Sequence, residues 1–147
     1  MLAVDPGTDK CGVAVVRAQN GQTVQVLGRK VVQIEQLADT VAEMADQTQP
    51  DVMVVGGGTG SREVVRAIEA RLPESGILVV DEKHSTERAQ RRYWELTPRR
   101  GWRRFVPRGL LVPPEPIDDI AALILAEDVL RDAAEAESRA REGVDKD

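Results

Sequence analysis

The stretch Ala3-Val4-Asp5-Pro6-Gly7-Thr8, with Cys11-Gly12-Val13-Ala14-Val15-Val16 close behind it, constrains this chain more than any other. A short apolar run ends in a carboxylate, a Pro-Gly-Thr turn and two charged residues follow, and a second apolar run begins. That pattern reads as a β-hairpin with Asp5 at the C-terminal end of its first strand. Burying a carboxylate is costly unless a cation meets it. Gly7 and Gly12 leave room beside it for a ligand or another backbone. Two readings fit this stretch alone: a metal or phosphate site in the mouth of a sheet, or an Asp that caps the Pro-Gly turn.

The remaining chain supplies the sheet. Residues 2–4 and 12–18 form the first two strands, and residues 23–32 form a third, reached through Asn20-Gly21, a strong hairpin signal. Ile34, Leu37, Val41, Met44 and Ala45 recur at helical spacing, and Pro50 ends that connection. Residues 51–55 make a continuous apolar run, typical of a strand covered on both faces. Gly56-Gly57-Gly58-Thr59-Gly60 follows, with Ser61 as N-cap of a helix carrying Val64, Val65, Ile68 and Leu72. Residues 77–80 read as another buried strand, ending in Asp81 and Glu82, and Ser85 or Thr86 can cap a helix running toward Tyr93. Residues 97–116 hold Pro98, Pro107, Pro113, Pro114 and Pro116, so no regular element fits across them and they form a long loop. Asp118 or Asp119 opens a last helix whose first turns, 120–126, are almost wholly apolar and pack on the sheet.

The expected architecture is therefore α/β: a three-stranded antiparallel meander plus parallel strands, a mixed five-stranded sheet flanked by helices on both faces. One domain spans 1–138, with the basic Pro-rich loop 97–116 inside it, and a polar tail at 139–147 is solvated or frayed. No apolar run approaches a membrane span and no signal peptide is evident. Cys11 is the only cysteine, which suits a reducing cytoplasm.

Acids fall at comparable places: Asp5 ends one strand, Asp81-Glu82 ends another, and Asp118-Asp119 starts a helix. In open α/β sheets, ligands gather at the carboxyl ends of the strands. If strands one and five are parallel and near each other, these acids converge. They repel one another unless a divalent cation lies between them, and oxygen-only ligands suit Mg²⁺ or Mn²⁺ rather than Zn²⁺. Such a site performs in-line phosphoryl chemistry. Taken singly, Asp81 is equally well a turn residue, and Asp118 or Asp119 an N-cap.

The segments LAVDPGTDKCGVAVV, VVGGGTGS, VVDEKHSTERAQ and PIDDIAALILAEDVL, in that order, resemble the YqgF (RuvX) family of the RNase H-like superfamily, relatives of the RuvC Holliday-junction resolvase. The resemblance rests on an Asp-x-Gly hairpin, an Asp-Glu segment and an Ile-Asp helix with paired alanines, and spans roughly residues 1–130. It implies an RNase H-like fold and a metal-dependent nuclease with Asp5, Glu82 and Asp118 as catalytic, metal-holding acids. It also implies a substrate in precursor 16S ribosomal RNA, with branched-DNA resolution as the alternative. Asp118 stands three before Ala121 as the motif requires, although Asp119 duplicates the acid. The usual Gly-x-Pro segment after the fourth strand is replaced by residues 56–61, and the Pro-rich segment marks a divergent branch.

The net charge of −5 alone argues against a nucleic-acid partner, but its distribution does not. Lys83 to Arg108 holds nine basic residues against Glu87 and Glu95, leaving −12 for the remainder. All four aromatic residues, Tyr93, Trp94, Trp102 and Phe105, fall within it, interleaved with arginines. Arg99, Arg100, Arg103 and Arg104 can hold phosphates and Trp102 can stack on an unpaired base, with Lys10 as a further phosphate contact. The same rings could instead anchor the loop to the core and the arginines be solvated. His84 reads as a hydrogen-bonded bystander or, less often, a catalytic group. RNA fits better than branched DNA, and the chain works as a monomer or as a homodimer, the latter if it resolves junctions. A non-catalytic RNA-binding module and a sugar-kinase-like ATPase are rival readings. The ATPase needs a second domain around its nucleotide.

Overall fold

The computed structural model describes residues 1–19, 23–81, 95 and 118–144. Alternating β-branched residues build β1 (Leu2–Asp5), β2 (Lys10–Gln19) and β3 (Thr23–Gln33), paired antiparallel in succession. Then come α1 (Ile34–Thr48), β4 (Met53–Gly56), α2 (Ser61–Arg71), β5 (Ile77–Val80) and the long α3 (Asp118–Val144). The sheet order is β3-β2-β1-β4-β5, with β4 parallel to β1 and β5 parallel to β4. This is the expected mixed five-stranded sheet.

Helices cover both faces. Leu2, Val4, Cys11, Val13 and Val15 pack against Leu37, Val41 and Met44 of α1 and Val64 and Ile68 of α2. Ala3, Ala14, Val16 and Val54 point the other way, into Ala122, Leu123, Leu125 and Ala126 of α3. The alternation along β1 and β2 thus assigns every inward side chain to one helical layer or the other. The apolar first turns of α3 are buried, as their composition predicts. Met44 and Thr48 close α1 through a 2.6 Å hydrogen bond from Thr48 Oγ1 to the Met44 carbonyl. Gln49 then takes a left-handed conformation at φ 47° before Pro50.

Two local readings are corrected. Residues 77–80 form a strand, but Leu78 and Val79 are 52% and 50% exposed, not buried. β5 ends the strand order, so its apolar run is only half covered. Ser61 is the first helical residue rather than the N-cap; Gly60 holds that place at φ 86°, a conformation a β-carbon disfavours. In the tail expected to be solvated or frayed, residues 139–141 are exposed, and the helix continues to Val144. Their Ala, Glu and Arg content favours a helix, with Arg139 and Glu135 3.6 Å apart one turn on. Among the described residues no helix is long and apolar enough to cross a membrane.

Candidate metal centre

Asp5 closes β1 opposite Gly12 of β2. It shares the phase of Ala3, whose side chain lies in the α3 layer, so Asp5 faces α3 as well. On the parallel side Val4 pairs with Val55, which puts Gly56 in step with Asp5. The half-buried Asp5 therefore has a glycine beside it on each neighbouring strand. Cys11, one residue from Gly12, faces the opposite layer and is fully buried there.

Two turns frame this end of the sheet. In the Pro-Gly-Thr turn, a β-carbon on Gly7 would collide with the Lys10 carbonyl oxygen, so the turn closes only around glycine. The Ile34 amide donates to the Asp9 carbonyl at 3.3 Å and ties the turn to α1. After β4, the Gly57 amide donates to the Val80 carbonyl at 2.7 Å. A β-carbon placed on Gly60 would sit 3.9 Å from the Gly7 carbonyl oxygen, so the glycine-rich turn stands beside the Pro-Gly-Thr turn. Lys10 begins β2 in the phase of Gly12 and is exposed.

Strands one and five are parallel but not adjacent, because β4 lies between them. Two strand spacings, about 10 Å, separate their ends. Asp81 follows β5 in the phase of Ile77, which packs in the α1/α2 layer. A β-carbon on Gly57 would lie 3.1 Å from its carboxylate. Asp81 thus turns to the face away from Asp5. Glu82 lies outside the described residues, as do His84, Arg99, Arg100, Trp102, Arg103, Arg104 and the helix expected from Ser85 or Thr86.

At the start of α3, Asp118 is the first helical residue, and its side chain is outside the description. Asp119 is engaged: Arg29 Nη1 of β3 stands 3.4 Å from its Oδ2, with the two side chains 32% and 17% exposed. Sequence reasoning missed Arg29. Val24, on β3, packs in the α3 layer, and strict alternation from it would put residue 29 on the other face. A register shift between Val15 and Val16 reverses the phase, so that Arg29 pairs with Ala14 and faces α3. The one mark of that bulge along 23–33 is Gly28, an isolated glycine inside the strand and next to the shift.

Among the described residues no three His, Cys, Asp or Glu side chains form a metal-holding group. The donor type fits a hard cation: Asp5 supplies carboxylate oxygen, and the one thiol is buried on the opposite face.

No protein-family model matches the chain, and no curated protein matches it. Solved structures do. Thermus thermophilus RuvC is similar at 16% identity and a TM-score of 0.59, over 92% of this chain and 93% of that one. The same organism's RuvC in complex with a Holliday junction substrate is similar at 14% identity and a TM-score of 0.53, over 93% and 94%. A Fowlpox virus resolvase bound to Holliday junction DNA is similar over 65% of this chain and 72% of its own, at 15% identity and a TM-score of 0.45. At such identities the likeness to RuvC is one of fold, and the chain has the RuvC-like, RNase H-like architecture.

Proposed function

We propose that this chain is a divalent-metal-dependent nuclease. The observation that carries the reading is the placement of Asp5: a carboxylate at the carboxyl end of β1, flanked by Gly12 and Gly56, facing the acidic start of α3 in a RuvC-like fold. The metal-holding set is Asp5, Glu82 and Asp118. Glu82 is taken from the resemblance as the acid after β5, and Asp81 turning toward the other layer is in keeping with it. When bound, Mg²⁺ or Mn²⁺ supplies activation of water and stabilisation of the leaving oxygen in phosphodiester hydrolysis. The chain's own part is positional. The glycine floor lets a phosphodiester backbone approach Asp5, and Lys10 meets a neighbouring phosphate from the same face. Arg99, Arg100, Arg103 and Arg104 hold the flanking strand, with Trp102 stacked on an unpaired base.

The substrate reading is precursor ribosomal RNA, from the resemblance to the YqgF family. A second reading, branched DNA, is favoured by the fold neighbours, one of which holds a Holliday junction at a TM-score above one half. Cleavage of single-stranded RNA, precursor rRNA and a four-way junction, side by side with Mg²⁺ and with Mn²⁺, separates them. RNA cut faster than the junction supports the first reading. Symmetric junction cleavage by a dimer supports the second. No cleavage of any of them sinks the nuclease reading.

A further inference from the structure

We propose that Arg29 is a positioning residue for this centre. Its ion pair with Asp119 sets the rotation of the first turn of α3 and withdraws Asp119 from the acid cluster, so that position 118 furnishes the third acid. The inference rests on the nuclease reading above.

Consider the two lines of residues that α3 lays on the sheet. Positions 118, 122, 125 and 129 form one line, and positions 119, 123, 126 and 130 form the other, about 100° away around the axis. Ala122 and Leu125 belong to the core under α3, and so do Leu123 and Ala126. Both lines therefore pack on the sheet, one on each side of the arc that faces it, and a small rotation of α3 decides how near each acid comes to β1. The ion pair fixes that rotation. Arg29 stands on β3, two strands away from β1 in the sheet order. With the Asp119 line drawn to the β3 side, the 118 line falls on the side of β1 and Asp5.

Arg29 suits the task. It sits in a strand paired along its length, and the bulge beside it fixes its facing. Its partner is 17% exposed, so the pair is only weakly screened by solvent. A planar guanidinium also holds a carboxylate in a defined orientation. The cation offsets the repulsion that adjacent acids at the start of α3 would exert on each other and on Asp5.

The test measures Mn²⁺ affinity of the full chain by electron paramagnetic resonance of the free ion, alongside cleavage. Its variants are Arg29→Met, Asp119→Asn and the charge exchange Arg29→Asp with Asp119→Arg, and Asp5→Asn is the control for the underlying reading. Each single variant should weaken Mn²⁺ binding about tenfold, in the range set by groups that orient a ligand. The exchange should restore it to within about threefold, because the pair is re-formed with its sign reversed. Asp119→Asn conserves volume, so it remains decisive if Arg29→Met fails to fold. If Arg29→Met tightens Mn²⁺ binding while the exchange abolishes it, Asp119 is itself a ligand and the proposal is overturned. If the single variants lower Tm but leave Mn²⁺ affinity unchanged, the pair merely fastens the helix and the proposal is again overturned. If wild type and Asp5→Asn bind Mn²⁺ equally, the nuclease reading fails, and this inference fails with it on grounds visible in that control.

Discussion

Replacing Gly7 by alanine should distort the turn that carries Asp5, and the size of the effect follows from two opposing contributions. A β-carbon there would overlap the Lys10 carbonyl oxygen, and backbone cannot rotate aside as a side chain can. Opening the turn to relieve that overlap costs about 1–3 kcal/mol. Against this, any Gly-to-Ala change restricts the unfolded chain and stabilises by about 0.4–1 kcal/mol. Gly28→Ala isolates the second contribution, because its β-carbon would meet only the flexible end of Met44, Cε, at 3.4 Å. Gly28→Ala should therefore match or slightly exceed wild type in Tm. Gly7→Ala should melt below Gly28→Ala, in which the gain cancels, by roughly 2–12 °C, taking 2–4 °C per kcal/mol for a chain of this size. Differential scanning calorimetry of the two variants with wild type gives both numbers. Mn²⁺-induced stabilisation should also shrink in Gly7→Ala alone, since the displaced turn begins at Asp5. A Gly7→Ala protein as stable as Gly28→Ala would refute the reasoning that this turn closes against its own backbone.

Leu123→Ala, a fully buried position between α3 and the sheet, should cost about 3–5 kcal/mol. Leu78→Ala, 52% exposed on β5, should cost about 1 kcal/mol or less; urea unfolding of the two variants tests the contrast. Replacing Arg99, Arg100, Arg103 and Arg104 with alanine should weaken nucleic-acid binding and flatten its salt dependence by up to about 3–4 units of slope in log K against log salt. A salt titration with unchanged slope would mean these arginines are solvated. Trp102→Ala should cost single-stranded substrate roughly 1–3 kcal/mol more than duplex, measured by fluorescence anisotropy on both.

Much of the fold was legible because two periodicities carry it. The meander shows in the alternation of residues 2–19 and the β-branched run behind Asn20-Gly21, and α1 in the spacing of Leu37, Val41 and Met44. What was not legible depends on neighbours distant in sequence. Leu78 and Val79 look like core residues, because an apolar run does not reveal whether its strand is central or at the end of the order. The glycines at 56–60 announce a turn without saying which one takes positive φ, and the answer, Gly60, displaced Ser61 from the cap. Asp5 could be read as a site residue because a carboxylate ending an apolar strand conflicts with burial. The resemblance selects Asp118 by its place three before Ala121, while the residue types at 118 and 119 do not separate the two, and the contact of Arg29 with Asp119, brought round by a bulge, could not be read from the sequence.

The central claim is that Asp5 helps to hold a divalent metal that cuts nucleic acid. The most direct test is Asp5→Asn, measured for Mn²⁺-dependent thermal shift and for cleavage on the same preparation. Wild type at a hundredfold excess of Mn²⁺ over its Kd should gain about 2.7 kcal/mol, roughly 5–10 °C in Tm. The variant should fold with apo stability equal to or above wild type, because an acid–acid repulsion is relieved, and should lose both the metal-induced shift and the cleavage. Glu82→Gln should behave alike. An Asp5→Asn protein that cuts at the wild-type rate with Mn²⁺ and shows the full thermal shift would contradict the account.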